Sequence, residues 1–126
     1  MKRFFTLATT LILLSSFTFI SSIDEVVAAM RTGNVSVIAK FFDETVEISM
    51  PAKSNSYGKS QAEMVLKDFF STNVVKSFEV IHKGENAGSQ YCIGTLITKG
   101  GSFRVTIFMK LKVDKQFLQE MRFEVN

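Results

Sequence analysis

From Gln90 to Val125 apolar and polar residues alternate with a period of two, in three successive runs. Side chains two apart on a strand share a face, so this pattern predicts three consecutive antiparallel strands with one nearly apolar side. Gly100-Gly101 separates the first two runs, and such a pair supplies the positive φ angles of a two-residue hairpin turn. Setting Lys99 opposite Ser102 places Leu96 against Val105, Gly94 against Ile107 and Cys92 against Met109, with Phe103 and Leu111 on the same side. Ile93, Thr95, Ile97, Arg104, Thr106, Phe108 and Lys110 take the opposite side. The next turn falls near Asp114-Lys115. A two-residue loop there puts Glu120, Arg122 and Glu124 on the apolar side. A three-residue loop, Asp114–Gln116, pairs Met109 with Met121 and Ile107 with Phe123, and sets Lys110 opposite Glu120. A one-residue slip turns every side chain over, so burial selects the longer loop.

Upstream the period changes to that of helices. Ser22-Ile23-Asp24-Glu25 has the form of a capping box and predicts a helix from Ile23, with Ile23, Val26, Val27 and Met30 on one face and Gly33 as its stop. Asn34 caps a second short helix carrying Val35, Ile38, Phe41 and Phe42. A strand follows over Thr45–Met50, then a turn from Pro51 through Lys53–Ser56, then a short strand towards Tyr57. Ser60-Gln61-Ala62-Glu63 reads as a second capping box. It opens a helix through Phe70 whose buried stripe is Ala62, Val65, Leu66, Phe69 and Phe70. Ser71–Ser77 connects to a strand at Phe78–Lys83, and Gly84–Ser89 is a polar loop before Gln90. The order α-α-β-(β)-α-β-β-β-β is an α+β arrangement, a curved antiparallel sheet with the helices packed on one face.

The first residues read differently. Lys2-Arg3 followed by the uncharged, apolar run Phe4–Ile20 has the pattern of a secretory signal peptide. The expected division is a signal over residues 1–22 and one domain over 23–126, exported to the periplasm or medium. An uncleaved membrane anchor is the rival reading, with a span of about 17 residues at the short limit for a bilayer. Loss of Lys2 and Arg3 would lower the net charge from +3 to +1. No basic block with interleaved aromatics remains, which argues against nucleic-acid binding. Cys92 is the only cysteine, so no disulfide can form within the chain, and its place on the apolar side makes it a small buried hydrophobe.

Few groups on the apolar side can carry chemistry. His82, the only histidine, alternates with Phe78 and Val80 and is expected to face inward, where it could carry a proton. Tyr57 precedes the third helix and could donate a hydrogen bond to a ligand. With Met109 and Met121 these two residues outline an expected pocket for a small apolar ligand. Asp43, Glu44 and Glu47 form an acidic cluster that reads as a solvated edge. Nothing in the sequence indicates a metal or cofactor. On the opposite side, Ile93, Ile97 and Phe108 stand among Thr95, Arg104, Thr106, Lys110, Glu120 and Arg122. An apolar centre with a charged rim is the composition of an interface. The plainer alternative for Arg122 is a cation–π contact over Phe108.

Several stretches carry a resemblance. They are Ala29–Asn34, Lys40–Glu47, Gln61-Ala62-Glu63 through Lys67–Phe70, Lys76-Ser77-Phe78, Ile81–Gly84 and Tyr91–Leu96. Together they resemble an uncharacterised family of exported bacterial proteins common in Bacteroidetes, domain of unknown function 4783, over Asp24 to Glu124. The element order resembles the nuclear transport factor 2-like (cystatin-like) fold, a cone of curved sheet around helices. That resemblance implies a fold shared by isomerases, dehydratases, ligand binders and assembly modules, whose members often dimerise through the sheet. It does not choose among them. The isomerases' inward acid and base have no counterpart on the last three strands. The expected function is therefore a non-catalytic ligand-binding or assembly module, a homodimer through Ile93, Ile97, Phe108 and Arg122. The alternative is a small isomerase- or dehydratase-like enzyme with a hydrophobic pocket, using His82 or Tyr57.

Overall fold

The computed structural model describes residues 21–126, and the expected signal segment lies almost wholly outside them. The elements are α1 (Ser22–Thr32), α2 (Val35–Ala39), β1 (Phe42–Ser49), β2 (Ser54–Gly58), α3 (Lys59–Thr72), β3 (Val75–Asn86), β4 (Ser89–Thr98), β5 (Gly101–Lys112) and β6 (Lys115–Val125). This is the order read from the sequence. One six-stranded sheet runs β2-β1-β6-β5-β4-β3. It is mixed, since β1 runs parallel to β6 while every other pair is antiparallel. The long α3–β5 connection between β1 and β6 permits this pair, which local hairpin reasoning does not reach.

Caps set the helix limits. Ser21, one residue earlier than expected, caps α1. Its hydroxyl accepts from the Asp24 backbone N–H and donates to the Asp24 carboxylate at 2.8 Å. Gly33 ends α1 with φ +65°, a left-handed conformation that costs glycine little. The Asn34 side chain accepts from the Val37 N–H and starts α2. The second expected capping box does not form. Gly58 is the N-cap of α3, no side chain caps it, and Ser60 already lies inside the helix.

The faces of the three final strands are as expected, but their registers are not. Thr98 pairs with Gly101, so the turn is Lys99-Gly100 and Leu96 lies opposite Phe103. Thr98 decides this: its hydroxyl accepts from the Gly100 N–H at 3.1 Å and donates to the Gly101 carbonyl at 2.8 Å. A two-residue shift leaves every side chain on its face. At the next hairpin Lys112 pairs with Lys115, and the turn is Val113-Asp114, both with positive φ. That loop alone would turn β6 over, as anticipated. A bulge opposite Phe108/Met109 absorbs one residue at Gln119 and restores Met121 and Phe123 to the core side, where Leu118 already lies opposite Met109. Lys110 consequently faces Phe117, and Glu120 faces Phe108. The expected loop Gly84–Ser89 is instead a two-residue turn, Ala87-Gly88, joining strands that run to Asn86 and from Ser89.

The core lies between the concave side of the sheet and the helices. Met30, Ile38, Phe42, Ile48, Leu66, Leu96, Ile107, Met109, Leu118, Met121 and Phe123 are all essentially without solvent exposure. Phe69, Phe70, Phe103 and Phe123 form an aromatic cluster with ring centroids 4.7–6.5 Å apart. The interior of the cone is filled by side chains.

Candidate functional site

The residues expected to form a pocket are not brought together. Tyr57 is on β2 and His82 on β3, which are opposite edges of the sheet. Tyr57 is half-buried opposite Val46 and packs against the core. Met109 and Met121 are fully buried between the two edges. The five main clefts among the described residues are lined by none of Tyr57, His82, Met109 and Met121.

His82 does not face inward. The pairing of β3 with β4 shifts between Val80/Gly94 and His82/Ile93, so Ile81 is an extra residue. Alternation from Phe78 fails at that point, and His82 lies exposed on the side of Ile93 and Tyr91. Its Nε2 shares a 2.8 Å hydrogen bond with the Tyr91 hydroxyl. Tyr91 reaches it by lying over Gly84, where an added Cβ would sit 2.6 Å from the ring. Only glycine permits that approach. Lys83, the next residue, points to the helix side, and its ammonium meets Asp24 at 2.8 Å. The hydrogen bonds of Lys83 and Ser21 hold the Asp24 carboxyl below its ordinary range.

The acidic cluster divides. Glu44 and Glu47 are exposed, while Asp43 is buried. Asp43 sits where both β1 and β6 are irregular, with four residues of β1 facing one of β6. Its Oδ2 accepts from the Gln119 amide at 2.9 Å and from the Lys112 ammonium at 2.7 Å, and its Oδ1 from the Glu44 N–H at 2.8 Å. These donors, Gln119 first, hold its carboxyl at about 2. Asp43 is thus a fixed anion tying β1, β5 and β6. Cys92 is fully buried, and burial pushes its thiol up to about 12. Burial thus favours the neutral thiol over the reactive thiolate. Among the described residues no three His, Cys, Asp or Glu side chains gather as a metal site.

Among the described residues no helix packs on the convex side of the sheet. Its central rows are Glu120–Phe108–Tyr91, Arg122–Thr106–Ile93–His82 and Glu124–Arg104–Thr95–Glu79. Ile97 is 44% and Ile81 66% exposed. Phe108, Tyr91 and Ile93 are half-buried. Arg122 is not stacked on Phe108; it pairs with Glu120 at 2.9 Å and Glu124 at 3.9 Å along β6. The four residues singled out in sequence, Ile93, Ile97, Phe108 and Arg122, do share this side. Sequence reasoning missed the His82–Tyr91 pair, because a bulge in β3 leaves no mark in the hydrophobic pattern.

Comparisons with known proteins agree with this geometry. A family model described as "Domain of unknown function (DUF4783)" matches residues 23–124. The chain is similar to a DUF4783 family protein from Bacteroides uniformis, 31% identical over 82% of this chain and 95% of that one, with a TM-score of 0.79. It is also similar to one from Bacteroides fragilis, 32% identical over 81% and 96%, with a TM-score of 0.76. A nuclear transport factor 2-like protein of unknown function from Cytophaga hutchinsonii shares the fold at 15% identity, covering 87% and 94%, with a TM-score of 0.60. No curated protein matches the chain.

Proposed function

Because the chain belongs to the DUF4783 family, whose fold is nuclear transport factor 2-like but whose description assigns no activity, we propose from its own geometry that it is an exported, non-catalytic assembly module that pairs with a second copy through the convex side of its sheet. The observation that carries this reading is the contrast between the two sides. The centre of the concave side, where an enzyme of this shape would hold substrate, is occupied by Met109, Met121 and Phe123, all essentially without exposure. Among the described residues nothing covers the convex side, which is apolar at its centre and bears both signs of charge around it.

Size and charge both suit a second copy. Five strands at about 4.8 Å spacing and eight residues at about 3.3 Å give a side of roughly 24 by 26 Å. Side-chain relief brings its accessible area towards the ~800 Å² per partner of a standard interface. Arg104, Arg122 and Lys110 lie beside Glu120, Glu124 and Glu79. With three groups of each sign, the face carries no net charge from them that would repel a second copy. Phe108, at the centre, is the anchor. Phe108→Lys places a charge there without touching the concave core. The expected result by sedimentation is a dimer for the wild type and a monomer of unchanged fold for the variant. Identical sedimentation of both as monomers would overturn the reading.

A further inference from the structure

At one end of the cone, away from the convex side, lies an open cleft of about 380 Å³ lined by Met50, Pro51, Ala52, Val65, Asp68, Phe69, Thr72, Asn73 and Phe103. That volume falls within the range of small-molecule sites. Its floor is aromatic. Phe69 is half-buried, and its ring is fixed edge-on to Phe103 at 5.3 Å and against Phe123 at 4.7 Å. Its outer wall is Met50, Pro51 and Ala52, in a turn closed by two reciprocal backbone hydrogen bonds between Met50 and Lys53 of 2.7 and 3.2 Å. The cleft is therefore shaped by fixed elements.

Its electrostatics point one way. Asp68 is exposed at the rim and makes no ion pair among the described residues. Lys67 is turned to Glu63 at 3.2 Å, and Lys53 does not line the cleft. The rim also includes the C-terminus of α3, a 14-residue helix with no basic residue in its last turn. A helix C-terminus carries partial negative charge, so an aspartate one turn before it is in an unfavourable place without a cation nearby. The aromatic floor in turn suits an apolar body. Carboxylate, helix terminus and aromatic floor thus converge on one chemistry.

We infer that this cleft binds a small organic cation, an apolar body seated against Phe69 and Phe103 with an ammonium group at Asp68. The inference is independent of pairing through the sheet, since no convex-side residue lines the cleft. It is tested by following backbone amide resonances of the purified, isotopically labelled protein during titration with phenethylammonium, phenylacetate and 2-phenylethanol. The expected result is saturable shifts at Val65, Phe69, Asn73 and Phe103 with phenethylammonium. Phenylacetate should bind at least about tenfold more weakly, and Asp68→Asn should weaken phenethylammonium to the level of the alcohol. Asp68 is at the surface, so the variant keeps its fold. Equal binding of ammonium and carboxylate, insensitivity to Asp68→Asn, or no saturable shift at these residues would each overturn the inference.

Discussion

Met121→Ala opens the interior of the cone at a residue with no solvent exposure. The change removes three side-chain heavy atoms. At about 0.8 kcal/mol for each buried methylene-sized group the transfer contribution alone is about 2.4 kcal/mol. Ile107 lies directly opposite on β5 and is itself fully buried in a fixed register. The walls therefore collapse only partly, and the remaining cavity raises the expected loss to about 3–4 kcal/mol. Small domains have about 5–15 kcal/mol of stability in all, so the variant should still fold. With a urea slope of about 1.5–2 kcal/mol per molar, its unfolding midpoint should fall by roughly 2 M. Urea titration followed by circular dichroism measures this directly. A loss below about 1 kcal/mol at unchanged slope would refute the reasoning, because a hollow cone would lose little when one of its lining residues is shortened.

Two further outcomes follow from the buried polar groups. The Asp43 carboxyl is held at about 2 against an ordinary value of 3.8. Its contribution is therefore complete above about pH 4 and is lost as pH falls towards 2. Allowing for the half-exposed Lys112, Asp43→Asn should cost about 1–2 kcal/mol at pH 7 and flatten the acid limb of the stability profile; an unchanged limb in urea titrations between pH 4 and 2 would contradict the assignment. Cys92, with its thiol at about 12 and no exposure, should react with a colorimetric disulfide reagent at pH 8 only when the protein unfolds. Rapid modification of the native protein would show that the concave side is open to solvent.

What the sequence revealed was the two-residue period and the helical spacing, because burial imposes both. The concave core of Leu96, Phe103, Ile107, Met109, Met121 and Phe123 follows from alternation alone, and so does the shared side of Ile93, Ile97 and Phe108. What it hid were events of a single residue. The Thr98 hydroxyl moved one hairpin by two positions without changing a face. The bulges at Ile81 and Gln119 each broke the alternation. Gln119 is spent on Asp43, a partner 76 positions away in the chain, and His82 turned outward to Tyr91. The cleft at Asp68 was out of reach for a related reason. It joins the turn at Pro51, the end of α3 and the start of β5, which meet only once the sheet has curved.

Sedimentation equilibrium of the purified protein over a wide concentration range tests the central claim most directly. The account predicts a reversible monomer–dimer equilibrium that Phe108→Lys abolishes while leaving the circular dichroism spectrum unchanged. A monomer at every concentration, or a dimer that survives Phe108→Lys, would contradict it.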